Sequence, residues 1–502
     1  MSSLIWKKIT YFFLLLLLIF VLLSWGILYY QNHYAIVPLS PNVTKKYLKN
    51  HQVKLLINGV NSTRQRNQNI EDANIILLKT FEFHDDESGN ALADLLIKKA
   101  KAGALIFIQF DAKGNDNYPQ DFWVIKNGKI SPLPEPLQRL LKAYPQQVAI
   151  YPTNPPTNIL TSYVDLLGVN IPIDHEKYLI TWNTNKWQEP AKVIMGGMNV
   201  GDSSLLGGEK IAQGEFKILA DTEDYPWRDT DVELSGPVVQ EIISRFYEEA
   251  NFQSKMPHAY IQKHFHANMR QGLERLKLLI HSLNEHAKTV FVPAEQVQNH
   301  GVSVNYIAKN IYQNHIEQAL IHYIRQVPQH ETIILVAPYF LPSKELMQAL
   351  IEALSHDIQV KILTNSIRSK NKGFRQVASA GRCRMRAVFS KLASNHIKYY
   401  EYVGNSQVGF HNLHQKVWLL GQNEKAIFAI GSSNLDNQSL RINSEGMLFM
   451  QNPKLQKQFQ AMIENDMQAD NIHEITQKEL IQTPLTQRFK ECRYDWLVDF
   501  VM

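Results

Sequence analysis

Residues 411–445 read HNLHQKVWLLGQNEKAIFAIGSSNLDNQSLRINSE. His414 and Lys416 stand two positions apart here, and two apolar runs follow them, separated by the polar turn 422–425. Apolar runs around a short polar turn predict a β-hairpin, and side chains two positions apart in a strand share one face. The hairpin therefore places an imidazole beside an ammonium group, and its return strand brings Asn434 to the same end.

An earlier stretch, residues 174–204, repeats this pattern: DHEKYLITWNTNKWQEPAKVIMGGMNVGDSS. His175 and Lys177 precede a second hairpin, and Asn199 follows the first glycine of its Gly pair by three positions, as Asn434 follows its own glycine. A single His-x-Lys unit is a common accident, whereas two units with the same strands and the same Gly-x-x-Asn indicate duplication. Imidazole, fixed positive charge and amide donor together suit an anionic phosphorus centre.

The duplicated unit resembles the phospholipase D superfamily, which is marked by two HxK motifs. The second copy matches the longer family pattern at Gly431, Ser432, Asn434, Asp436, Ser439, Asn443 and Glu445. The family usually has Asp five positions after each Lys, where this chain has Trp182 and Gly421, and it usually has Arg where Gln438 stands. The histidines and lysines that do the chemistry are intact in both copies.

The resemblance implies phosphodiester cleavage through a covalent phosphohistidine, with neither metal nor cofactor. Such a reaction needs a nucleophile, a proton for the leaving oxygen and positive charge for the phosphoryl oxygens. The resemblance assigns His175 as nucleophile, His414 as general acid, Lys177 and Lys416 as the positive charges, and Asn199 and Asn434 as neutral donors.

Each histidine needs an acceptor on its second nitrogen. The family pattern implies Glu445 as the partner of His414, and Asp229 is the corresponding expectation for His175. The hairpin positions 182 and 421 lie several residues along the strand from each His, so their missing carboxylates are interpreted as lost support for the site.

The segment 368–386 is strongly basic. It is interpreted either as a solvated loop and helix or as a patch that meets lipid headgroups or another polyanion. In the second interpretation the substrate-binding residues are Arg368 and Arg375, together with Ser432 and Ser439.

The chain has 502 residues, which suits two or three domains, and its net charge of +5 neither indicates nucleic acid nor opposes an anionic membrane surface. Its two cysteines, Cys383 and Cys492, form no CxxC pair, which argues against a thiolate metal site. A disulfide is possible in an oxidising compartment, but the sequence favours two free thiols.

Residues 9–30 read ITYFFLLLLLIFVLLSWGILYY, carry no charge and are long enough to cross a bilayer as a helix. A cleaved signal peptide is the alternative, but no clear cleavage site follows, which favours an uncleaved anchor. Lys7 and Lys8 precede the span, and no Lys or Arg occurs in 31–44. The positive-inside rule then places the N-terminus in the cytoplasm and the rest beyond the membrane, in the periplasm of a bacterium.

Strand–helix–strand patterns precede both hairpins, at 73–110 and at 332–364. They predict an α/β fold of two duplicated phospholipase D-like sandwich domains with mixed sheets, the active site lying at their interface. We also predict a loop over 113–146, a helix over 306–325 and a helical tail over 451–502. The predicted divisions are 1–8 cytoplasmic tip, 9–30 anchor, 31–50 stalk, 51–250 first domain, 251–330 helical connector, 331–475 second domain and 476–502 tail.

These features favour a membrane-anchored phospholipase D or phosphatidyltransferase that acts on phospholipid, with water or an alcohol as acceptor. The runs 338–340 (PYF) and 399–402 (YYEY) resemble the bacterial cardiolipin synthase branch, whose members usually carry two N-terminal spans where this chain has one. One alternative is a nuclease of the same fold, against which the anchor and the modest charge weigh. The other is a phospholipid-binding protein with a decayed site, which a His→Ala substitution distinguishes from an enzyme.

Overall fold

The computed structural model describes residues 11–16, 18, 19, 22, 44, 46–112, 114, 133–153, 172–208, 226–255, 265–291, 301–369, 371–391, 396–404, 410 and 412–492. The predicted anchor 9–30 and stalk 31–50 lie largely outside these residues. The anchor residues that are described are helical and exposed. Within the described ranges, no helix combines the length and apolar character needed to span a bilayer.

The first half of the chain alternates strands and helices in the predicted order. Its strands are β1 (Leu48–Ile57), β2 (Ile75–Thr80), β3 (Leu105–Asp111), β4 (Val148–Thr153), β5 (Tyr178–Trp182), β6 (Lys192–Gly196), β7 (Trp227–Arg228) and β8 (Thr230–Ser235). Its helices are α1 (Gly59–Asp72), α2 (Glu87–Lys101), α3 (Glu135–Ala143), α4 (Asp202–Leu205), α5 (Val238–Ser254), α6 (His266–Glu285) and α7 (Ala287–Val290).

The second half repeats the plan. Its strands are β9 (Val302–Lys309), β10 (Thr332–Val336), β11 (Gln359–Asn365), β12 (Ile397–Tyr402), β13 (Asn412–Leu413), β14 (Val417–Leu420), β15 (Ile427–Gly431), β16 (Glu445–Gln451) and β17 (Ile472–Ile475). Its helices are α8 (His315–Ile324), α9 (Lys344–Ser355), α10 (Lys372–Lys391), α11 (Pro453–Asp466), α12 (Gln477–Gln482) and α13 (Leu485–Cys492), with a π-helical turn at Gln438–Ile442 and a 3-10 turn at Ala469–Asn471.

A single sheet contains the strands of both copies. The first half runs β1-β8-β6-β5-β2-β3-β4, and the second runs β9-β16-β15-β14-β10-β11-β12-β17. In each half three parallel strands lie beside the antiparallel hairpin, so each half is a mixed α/β sheet, as predicted. Antiparallel pairing of β1 with β9 joins the halves into 15 strands. The predicted internal duplication is therefore present in the topology.

Burial explains why these segments form. Every residue of β2 and β4 is buried, which is typical of parallel strands covered on both faces. Helix α2 buries the stripe Leu92, Leu96 and Ala100, and Asp86 caps it by accepting the Gly89 N–H. Local periodicity and capping thus point to the same elements as the tertiary packing.

Three predicted segments differ from the structure. The helix predicted over 306–325 is confirmed only from His315, where α8 begins, and is wrong at 306–309, which belong to β9 between β1 and β16. Tyr312, which has the left-handed φ of 59°, lies in the turn between β9 and α8. The loop predicted over 113–146 contains α3, and the tail predicted as helical contains β17, which pairs with β12 at the sheet edge.

The prediction of two free thiols is wrong. Cys383 on α10 and Cys492 on α13 form a disulfide, with their Cα atoms 5.2 Å apart. The 109 positions between them hide this proximity in the sequence, and it arises because α13 packs along α10.

Candidate active site

Each HxK motif lies in an extended segment that pairs with the other half of the molecule. The N–H of His175 donates to the Ser444 carbonyl at 2.9 Å, and the Ser444 N–H donates to Ile173 at the same distance. On the other side the His414 N–H donates to the Arg228 carbonyl at 2.8 Å, where β13 pairs with β7. Backbone hydrogen bonds across the interface therefore bring the two histidines into one site.

His175 bonds to Glu445. Its Nδ1 lies 3.0 and 3.1 Å from the two carboxylate oxygens, and the Ser432 hydroxyl donates to Glu445 Oε2. Burial alone would raise the pKa of Glu445, but the charge and hydrogen bond of His175 hold it below its usual range. A carboxylate that accepts from Nδ1 leaves Nε2 of His175 as the nitrogen available for chemistry.

His414 bonds to Asp229 in the same way, with Nδ1 and Oδ2 2.6 Å apart. The second oxygen of Asp229 accepts the Thr230 N–H at 2.8 Å, and the Trp227 ring lies 4.5 Å from the imidazole. Burial lowers the pKa of His414 to about 3, Lys416 acts in the same direction, and Asp229 opposes both.

The predicted histidine–carboxylate pairing is therefore wrong in its assignment, although it named both carboxylates. Glu445 serves His175 and Asp229 serves His414, so each histidine is oriented by the other half. The reason lies in the sheet: Asp229 immediately precedes β8, and Glu445 is the first residue of β16. Both strands lie near the centre of the joined sheet. From there each carboxylate reaches the motif across the interface.

Lys177 and Lys416 lie beside their histidines, as the two-residue spacing predicts. Nζ of Lys177 donates to the His175 carbonyl at 2.7 Å and lies 5.1 Å from the Phe81 ring centre. Nζ of Lys416 lies 3.0 Å from His414 Nε2. Both side chains are buried, so both ammonium groups are held against the site.

Burial lowers the pKa of Lys177 to about 7 and that of Lys416 to about 8. Glu445 raises the pKa of Lys177, while Lys416 lowers it further by charge repulsion. Two buried ammonium groups that repel each other gain most from an anion placed near both. The arrangement therefore favours binding of a negatively charged group such as a phosphodiester.

The two amides have different surroundings. Asn199 Nδ2 donates to Glu82 Oε2 at 2.7 Å, and its Oδ1 accepts the Glu82 N–H at 3.3 Å. Asn434 is buried, and its Oδ1 has no hydrogen-bond partner among the described residues. The sequence analysis missed Glu82, which lies two residues beyond the carboxyl end of β2. Loops at this edge of such sheets commonly carry function.

The absence of a side chain at Gly197 leaves room for the Asp229 carboxylate. A Cβ at this glycine would lie 2.6 Å from Oδ1 and 2.8 Å from Oδ2 of Asp229, closer than real side chains approach. In the second copy the matching position is Ser432, whose hydroxyl instead donates to Glu445. The Gly-Gly and Gly-Ser pairs of the two motifs therefore each support the carboxylate that follows their own hairpin.

The basic segment divides into structural and exposed residues. Arg382 pairs with Glu401, and both side chains are buried. Arg384 donates to the Leu341 and Pro342 carbonyls, and Arg386 pairs with Glu491. Arg368 and Arg375 are exposed, and Arg375 also donates to the Ser369 carbonyl at 3.2 Å, so these two predicted substrate-binding residues lie at the surface.

The other predicted positions lie in supporting roles. Ser439 is buried in the π-helical turn, where its N–H donates to Asp436 at 2.8 Å. Trp182 ends β5, and Gly421 follows β14 with φ 91°. Five residues of extended chain from each Lys correspond to roughly 16 Å, so positions 182 and 421 are remote from the reacting groups. Their missing Asp side chains leave the histidines and lysines in place.

A buried ionic cluster lies behind the first motif. The sequence analysis missed it. Glu176 faces away from the reacting groups and bonds to Arg245, which also donates to Ser444 Oγ at 3.0 Å. Lys79 pairs with Asp174 at 3.0 Å and with Glu249. Since Arg245 contacts both the motif segment and the segment next to Glu445, it ties the two halves together behind His175.

Comparison with known proteins shows what this chain is similar to. The family model for the cardiolipin synthase PLD-like domain matches residues 320–467. Cardiolipin synthase A of Pseudomonas putida is 26% identical over 462 residues, which cover 91% of this chain and 77% of that protein. Cardiolipin synthase A of Pseudomonas entomophila is 25% identical over 461 residues, with coverages of 91% and 77%.

Among solved structures, phosphatidylserine synthase of Haemophilus influenzae shares the fold. It aligns with a TM-score of 0.61 and 14% identity, covering 92% of this chain and 98% of that one. The alignment therefore extends over both halves of the chain. The chain is thus similar to cardiolipin synthases in sequence and to phosphatidylserine synthase in fold, and the match to a PLD-like domain over residues 320–467 indicates a phospholipase D-type enzyme.

Proposed function

We propose that this protein is a membrane-anchored phosphatidyltransferase that moves a phosphatidyl group from a phospholipid to an alcohol through a phosphohistidine. One observation carries the proposal: two His–carboxylate pairs and two buried lysines meet at the interface of the halves. The names of the curated relatives support transfer as the reaction and phospholipid as the substrate.

In the first step Nε2 of His175 attacks phosphorus. The N–P bond forms and the bond from phosphorus to the headgroup oxygen breaks, while His414 gives a proton to the leaving oxygen. Glu445 accepts the Nδ1 hydrogen of His175 and stabilises the positive charge that develops on the ring. In the second step the acceptor alcohol loses its proton to His414 and its oxygen attacks phosphorus, which releases His175.

The general acid must carry a proton when substrate binds. Burial and Lys416 keep His414 neutral near pH 7 in the absence of an anion. A phosphodiester between the lysines opposes this lowering of the pKa, because its negative charge favours every nearby cation. Substrate binding is thus expected to raise the pKa of His414 and of both lysines together.

The lysines supply the positive charge. Each Nζ is held within 3.1 Å of its own HxK segment, and neither side chain is exposed. Fixed ammonium groups in a water-poor site stabilise charge on the phosphoryl oxygens without reorganisation. Asn434 is suited to add a neutral donor.

The membrane part of the proposal rests on the apolar residues 9–30, whose described members form exposed helix. An anchor of one span followed by a short stalk keeps the site near its lipid substrate and raises the effective lipid concentration. By the positive-inside argument, the catalytic halves then lie beyond the cytoplasmic membrane, which is consistent with the disulfide.

The deciding experiment uses the full-length protein reconstituted in vesicles of phosphatidylglycerol and phosphatidylethanolamine, with and without added glycerol. Products are read by mass spectrometry beside His175→Ala, His414→Ala and the control His281→Ala, whose side chain is 77% exposed on α6. We expect new phosphatidyl-alcohols with the wild type and the control, and none with the two site variants. Release of phosphatidic acid alone would instead indicate hydrolysis.

Absence of any lipid product with the wild type would refute the proposal. The same protein would then be tested on single-stranded DNA, the substrate of the nuclease alternative. The structure weakens that alternative, because Arg382, Arg384 and Arg386 of the basic segment are occupied by contacts within the chain. Lipid turnover at the wild-type rate in both His175→Ala and His414→Ala would equally contradict the mechanism.

A further inference from the structure

The helices α12 and α13 expose large apolar side chains. Leu485 is 80% exposed and Phe489 75% exposed, and Ile481 at the end of α12 is 41% exposed. Leu485 and Phe489 are four residues apart on α13, so they lie on one face of the helix. We call these three residues the C-terminal apolar surface.

The helix pair is firmly attached to the catalytic body. Cys492 is bonded to Cys383 of α10, and Arg386 pairs with Glu491. Arg382 lies 3.6 Å from Glu479 of α12. The apolar surface is therefore held at a fixed position rather than on a free tail.

These contacts also determine the charge of the exposed side. Glu479 and Glu491, the acidic residues of α12 and α13, both face α10 in ion pairs. Lys478 and Lys490 are exposed, and Arg488 is half-buried. The apolar surface is therefore flanked by positive charge, whereas Glu491 is buried and Glu479 is partly covered beside Arg382.

Helix α10 leads from α12 and α13 towards the active site. Arg375, Ser379, Arg382 and Arg386 form one stripe of this helix, since they follow the spacing of helical turns. α12 and α13 contact the stripe at Arg382 and Arg386, while Arg375 at its other end is exposed. Neighbouring Phe374 lies 5.7 Å from the Trp227 ring that packs on His414.

We infer that the C-terminal apolar surface docks onto a phospholipid bilayer and directs the active site towards it. Apolar side chains flanked by lysine and arginine are typical of helices that lie in the interface of anionic membranes. Arg375 then faces the headgroup layer near the site. The inference rests on the proposed function in taking phospholipid as the partner, but the binding test below needs no turnover.

The test places a fluorophore in the surface. Full-length Phe489→Trp is reconstituted in vesicles of phosphatidylglycerol and phosphatidylcholine with brominated acyl chains. The control is Phe252→Trp, because Phe252 is 63% exposed on α5. We expect bromine to quench the added emission of Phe489→Trp and to leave that of Phe252→Trp unchanged. Equal quenching, or none at position 489, would overturn the docking surface.

A second measurement separates docking from catalysis. We expect Leu485→Asp/Phe489→Asp to lower the ratio of vesicle turnover to turnover of a dispersed short-chain phospholipid by about tenfold or more. The control is Leu278→Asp, at a side chain 69% exposed on α6. Unchanged ratios would overturn the inference, whereas a wild type inactive on both substrates would refute the proposed function and leave the quenching result standing.

A second copy of the chain is the competing occupant of the surface. Sedimentation of detergent-solubilised wild type and Leu485→Asp/Phe489→Asp decides between the two. A single monomeric species for both supports the lipid surface. Dissociation of a wild-type oligomer by the substitutions would overturn it in favour of a protein interface.

Discussion

Nδ1 of His175 lies 3.0 Å from a carboxylate oxygen of Glu445, a residue 270 positions further along the chain. The matching contact joins His414 to Asp229, 185 positions earlier, at 2.6 Å. Each half of the duplicated enzyme thus completes the histidine of the other half. A single half lacks the carboxylate that fixes its own imidazole, so neither motif is a complete site without its partner.

Glu445→Gln should lower kcat by about 10²- to 10⁴-fold, because an amide no longer fixes the tautomer of His175 or stabilises its charge. Trapping of labelled phosphoenzyme after rapid quench measures the first step directly, and the label should fall in parallel. The exposed Glu464 on α11 offers the matched control Glu464→Gln. Normal phosphoenzyme formation in Glu445→Gln would argue against His175 as the nucleophile.

Asp229→Asn should slow turnover of phospholipid through the proton supplied by His414. A phosphodiester with a nitrophenolate leaving group needs no such proton, so on this substrate the first step should survive and phosphoenzyme should accumulate. Burst kinetics of nitrophenolate release provide the measurement. If the burst is lost in Asp229→Asn but kept in Glu445→Gln, the two histidines have the opposite roles.

Gly197→Ala should reproduce the effect of Asp229→Asn, since the new Cβ would lie 2.6 Å from Asp229 Oδ1 and force the carboxylate to move. Gly373→Ala is the control, because its nearest neighbour is an Asn371 side-chain oxygen at 3.2 Å. Circular dichroism and the nitrophenolate burst separate a shifted site from a misfolded protein. Full phospholipid activity in Gly197→Ala would show that the position of Asp229 is unimportant.

Stability should rise with pH above neutrality. Burial lowers the pKa of Lys177 from 10.5 to about 7, so between these values the unfolded chain binds a proton that the folded chain does not. The free energy of unfolding then increases with pH across this window, and the contribution is flat below about pH 7. Tm from pH 6 to 10 should rise less in Lys177→Met than in Lys186→Met, an exposed control.

Reduction of the Cys383–Cys492 disulfide should lower stability, because the bond closes a loop of 109 positions. The chain-entropy model gives about 5 kcal/mol for such a loop, and strain or residual structure reduces it. Tm with and without dithiothreitol, compared in wild type and Cys383→Ser, measures the effect. An equal Tm under both conditions in the wild type would show that the bond contributes nothing.

The sequence predicted the architecture because the relevant signals are local. Alternating apolar residues around a polar turn marked both hairpins, and strand–helix–strand patterns marked the parallel strands. The side-by-side placement of His414 and Lys416 followed from the same two-residue period, and the structure places them in contact. Repetition of one motif then indicated that the chain is two copies of a single fold.

Only the tertiary structure decided how the copies combine. The contacts of His175 with Glu445 and of Cys383 with Cys492 join residues far apart, and no local pattern encodes such distances. Residues 306–309 fall in a predicted helix, yet they end strand β9, because β1 and β16 flank that strand. The lowered lysine pKa values likewise arise from burial at the interface of the halves. Periodicity thus determines the elements, whereas packing between distant segments determines which carboxylate serves which histidine.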